Sequence, residues 1–110
     1  GEVEQAYIDS FKTFEQDFSY RNEEPGLEDS VERLAAWFKE LDAELKATIE
    51  ALTDDDIQER VINRGPDFAV PPLVQLEIYK EALLIFYGKV SVYLKALGKP
   101  RSEQWQEWIA

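Results

Sequence analysis

The chain has 110 residues, with 12 Lys plus Arg against 23 Asp plus Glu, a formal charge of −11. It contains no Cys and no His, which excludes a disulfide framework, a thiolate nucleophile, Cys-ligated metal centres and the usual general base near neutral pH. Hydrophobic residues at 45% and aromatics at 13% suffice for a core and exclude a disordered acidic tail.

A first helix is predicted over residues 2–18, where Val3, Tyr7, Phe11, Phe14 and Phe18 recur every three or four residues. Pro25 and Gly26 then interrupt helix. A second helix is predicted over 30–52. Asp29 and Glu32 form a capping-box pattern before it, and Val31, Leu34, Phe38, Leu41, Leu45, Ile49 and Leu52 form one stripe. Trp37 lies beside that stripe and covers its edge, while Asp42 and Lys46, four apart, read as a surface pair.

Thr53 caps a short turn predicted over 54–60 and places Asp54, Asp55 and Asp56 at its positive end. Three adjacent acids lack the alternate spacing and the Gly of a calcium loop. Ile57 and Val61 are expected to anchor the turn. Residues 62–72 read as irregular, broken by Gly65-Pro66 and Pro71-Pro72, with an extended stretch at Phe68 to Val70 that has no evident partner.

A third helix is predicted over 72–97, with Gly98 closing it and Pro100 beyond. It is close to ~40 Å long and apolar over most of its circumference, so it needs cover on every side. Two other helices do not supply that cover, which points to a missing fourth helix or to a second copy of the chain. Gly88 inside it predicts close approach of another helix. A last turn over 103–109 carries Trp105, Trp108 and Ile109.

The string Tyr87-Gly88-Lys89-Val90-Ser91-Val92-Tyr93-Leu94-Lys95-Ala96-Leu97-Gly98-Lys99-Pro100 resembles the last helix of the DinB-like superfamily. The helix after Ser30 and the Leu52-Thr53-Asp54-Asp55-Asp56-Ile57 segment resemble it too, so the likeness covers about residues 30–100. It implies an all-α, up-and-down four-helix bundle, homodimers as a common state, and a three-His metal site used by thiol S-transferases and hydrolase-like members. Counting back from Gly88, two of those His positions fall at Phe86 and Ala82, and Lys89 stands where the family has Gln. The expectation is therefore a metal-free bundle with no cofactor, lacking or contracting one N-terminal helix and completed by a homodimer; the alternative is that residues 2–18 act as the first helix and the bundle closes as three helices. No Met is present, so Gly1 reads as other than a native start.

The resulting reading is a non-catalytic module that binds a small apolar ligand or a protein. Its candidate pocket is the former metal position, at Ile78, Ala82 and Phe86, with Trp37 and Phe38 opposite. A second reading is a metal-independent transferase or hydrolase using Glu77, Glu81 or Lys80. A third is an acidic decoy for a basic protein. The acidity speaks against nucleic acid and against an anionic membrane surface. No segment reaches the ~20 apolar residues of a membrane span, and no leader is evident, so a bacterial, cytoplasmic protein is expected.

Overall fold

A computed structural model describes residues 1–109. The elements run α1 (Glu2–Thr13), a 3₁₀ turn (Leu27–Asp29), α2 (Val31–Glu50), α3 (Asp54–Glu59), β1 (Ile62–Gly65), β2 (Phe68–Val70), α4 (Pro72–Ala96) and α5 (Glu103–Trp108). The chain is thus mostly helical, with one two-stranded sheet. It divides into two compact units, Gly1–Gln75 and the residues from Leu76 on, so the first turn of α4 belongs to the first unit.

Helix α1 stops before its apolar stripe does. Phe14 adopts a left-handed conformation (φ 61°) and its N–H donates to the Ser10 carbonyl. Beyond it the chain leaves the helix and bridges Asn63 of β1 at Glu15. The Asn63 N–H donates to the Phe14 carbonyl at 2.9 Å, and the Gln16 N–H donates to the Asn63 carbonyl at 2.7 Å. Ala6, Tyr7, Ile8, Phe11 and Phe14 are buried. Val3 and Phe18, the ends of the predicted stripe, are about half exposed, although the Phe18 ring still meets Tyr7 edge-on at 5.9 Å.

The segment expected to be irregular contains a hairpin. β1 and β2 pair antiparallel, with Ile62 opposite Val70 and Asn63 opposite Ala69, and the register shifts between Asn63 and Gly65. Ile62 and Val70 are both buried. β1 also bridges Glu15 in parallel, so it is paired on both sides. That second partner, distant in sequence, is what an isolated extended stretch lacked.

Helix α2 is capped by Ser30, not by Asp29. The Ser30 hydroxyl accepts from the Arg33 N–H, and Asp29 ends the preceding 3₁₀ turn. Leu41 is buried while Val31 at the helix start is exposed. Lys46 pairs with Glu50 at 3.8 Å, one turn on from the expected Asp42. The cap of α3 is as read, with Thr53 and Asp56 exchanging side-chain-to-backbone hydrogen bonds. Ile62 takes the anchoring place expected of Val61, which is exposed.

Helix α4 starts at Pro72, and Gly98 follows its end with φ 64°. Its cover is incomplete within this chain. Leu84, Ile85, Phe86, Val92 and Tyr93 are all more than half exposed. In the second unit, Tyr87 meets Trp105 of α5 edge-on at 5.4 Å, and Ser91 is buried beside Arg101.

Candidate functional site

The first unit holds a cavity of about 560 Å³ between the start of α1, the turn at residues 22–29 and the first half of α2. That volume lies in the range of small-molecule sites. Leu34, Trp37 and Phe38 share one side of α2 by helical spacing and line it, together with Val3 and the buried Leu27. The Trp37 and Phe38 rings lie 5.7 Å apart, tilted by 48°. The left-handed Gly26 (φ 75°) turns the chain so that Leu27 points inward and Glu28 and Asp29 line the same cavity.

Its polar lining is acidic. Glu2, Glu24, Glu28 and Asp29 all line the cavity. Glu2 accepts from the Asn22 N–H at 3.0 Å, and Glu24 pairs with Arg33. Among the described residues, the carboxylates of Glu28 and Asp29 make no hydrogen bond or ion pair. Gly1 also lines the cavity, seated against the Trp37 ring, and burial lowers the pKa of its amine against the opposing pull of Glu4 and Glu2. A cation over an aromatic face gains about 0.5–2 kcal/mol, and nearby carboxylates add to that attraction. Apolar walls, two aromatic rings and two uncommitted carboxylates suit a small organic cation.

The sequence-predicted residues fall in both units. Trp37 and Phe38 come together at this cavity. Ile78, Ala82 and Phe86 follow one another at intervals of four on α4, in the second unit. Ala82 and Phe86 have no donor atoms and the chain has no His, so the residues at these positions do not fit the metal that the resemblance implies. Among the described residues, no group of three or more Asp and Glu side chains is placed to hold a metal ion. Glu77 and Lys80 form an exposed ion pair at 3.6 Å, and Glu81 is exposed beside them. Glu2, Asn22, Glu24 and Glu28 carried no motif, and Asp29 read as a helix cap; only the fold brings them to Trp37.

No family model, no curated protein and no solved structure matches this chain.

Proposed function

We propose that this protein is a non-catalytic binding module whose ligand is a small organic cation with an apolar body. The observation that supports this most is the pairing of Trp37 and Phe38 with the uncommitted carboxylates of Glu28 and Asp29 in one cavity. The apolar ligand expected from sequence gains a positive charge in this reading, because the cavity is lined by acids. The reading is compatible with a metal-free DinB-like bundle in which Ala82 and Phe86 put hydrocarbon where the family has ligands. It needs no cofactor and no nucleophile.

A thermal-shift series tests it. Benzyltrimethylammonium, its neutral carbon isostere and benzoate are compared, alongside divalent metals. A ligand that binds only the folded state raises the melting temperature, by about 5 °C at tenfold its Kd for a domain of this size. The cation alone is expected to act. An equal response to the neutral isostere would make the site merely apolar. A response to metal alone would replace this reading with a carboxylate metal site.

A further inference from the structure

Glu81, Leu84, Gly88, Val92 and Lys95 lie on one face of α4, spaced three, four, four and three residues apart. The pattern is a palindrome about Gly88. An antiparallel second helix with its two-fold axis at Gly88 sets each position before Gly88 against its counterpart after it. Leu84, four residues before, then faces Val92 of the second copy. Glu81, seven before, faces Lys95. The face is therefore complementary to itself in shape and in charge, as a two-fold interface requires.

The face is open in the chain. Leu84, Ile85 and Val92 are 53%, 61% and 65% exposed. Glu81 and Lys95 are exposed as well, and among the described residues neither has an ion-pair partner. A Cβ placed on Gly88 would meet nothing within 4 Å. Glycine inside a helix is unfavourable by about 1 kcal/mol relative to Ala, and no group among the described residues uses the room it leaves. Helix axes that approach to about 8–10 Å do use such room. We infer that two copies of this chain associate through an antiparallel α4 pair crossing at Gly88, with Glu81 and Lys95 forming reciprocal ion pairs. This does not depend on the ligand reading above, since no residue of the face lines the Trp37 cavity.

Sedimentation equilibrium on the full chain at physiological salt tests this. The wild type is expected at twice the chain mass. Glu81→Lys and Lys95→Glu each place like charges opposite one another in both pairs, so each variant is expected at the single-chain mass. An equimolar mixture of the two restores both attractions and is expected to return to twice the mass. Unchanged circular dichroism of both variants shows that they remain folded, and the mixture carries the test even if one is less stable. A wild type at the single-chain mass would overturn the inference and leave the face to another partner. Single variants that keep the double mass, or a mixture that fails to regain it, would overturn the antiparallel register.

Discussion

The Gln75 amide donates to the Ser10 hydroxyl at 2.9 Å, joining the first turn of α4 to α1 across sixty-five residues of sequence. Both side chains are fully buried. The same amide nitrogen donates to Gln16 Oε1 at 2.6 Å, the Gln75 carbonyl oxygen accepts from Arg64 at 2.7 Å, and the Ser10 hydroxyl donates to the Tyr7 carbonyl. Every polar atom of the Gln75 amide is matched, so the cluster specifies how α1, β1 and α4 meet in the first unit.

Gln75→Leu is expected to destabilise the protein by about 2–4 kcal/mol, because Ser10, Gln16 and Arg64 lose their shared partner in a buried place. Ser10→Ala removes one bond and should cost about 1 kcal/mol. Urea unfolding of both single variants and the double variant gives the coupling. The two effects should fall short of additive, since they share a bond.

Asp56 sits below the usual carboxylate range, chiefly because the Thr53 N–H and hydroxyl bond its charged form, with Arg60 adding to the effect. Its folded pKa is thus lower than its unfolded one. The stabilisation it gives is present above the unfolded value near 4 and is lost as pH falls through the folded value. Asp56→Asn should flatten that part of the acid limb of stability, which begins as pH falls towards the unfolded value near 4. Thr53→Ala should destabilise α3 by about 1 kcal/mol at neutral pH. Chemical denaturation across pH reads both.

The Phe14 ring lies 3.5 Å beneath the Arg60 guanidinium, while its backbone is held left-handed. Phe14→Gly relieves the backbone by about 1 kcal/mol but loses a buried ring worth about 3 kcal/mol or more. A net loss is expected. Arg60→Ala should cost about 1 kcal/mol. Thermal melts of the two variants check the order.

Trp105 Nε1 is buried and has no hydrogen-bond partner among the described residues. Its ring nevertheless packs on Tyr87. Trp105→Phe keeps the ring contact and removes the unmatched donor, so it should be neutral or stabilising by up to about 1 kcal/mol. Trp105→Ala should destabilise by losing the ring. The pair separates the two contributions in a single denaturation series.

The helices were legible because their signals are local. The stripe from Leu34 to Leu52 and the Thr53 cap need only neighbours three or four residues away. The end of α1 was not legible, because Phe14 stops the helix for a partner at Asn63, far along the chain. The hairpin was missed for the same reason. At the cavity, Phe38 read as part of the apolar stripe of α2 and Trp37 as a large ring beside it. Glu28 carried no signal of its own in a chain of charge −11, and Asp29 read only as a helix cap. What singles them out is the left-handed Gly26, which brings them alongside those rings.

The most direct test of the binding reading is a titration of the full, ¹⁵N-labelled chain with benzyltrimethylammonium, followed by amide and indole resonances. Saturable shifts are expected at the Trp37 indole and at Leu27, Glu28, Asp29, Leu34 and Phe38, and they should vanish in Trp37→Ala while the remaining spectrum stays folded. Shifts confined to α4, or none at millimolar ligand, would contradict a cation site at this cavity.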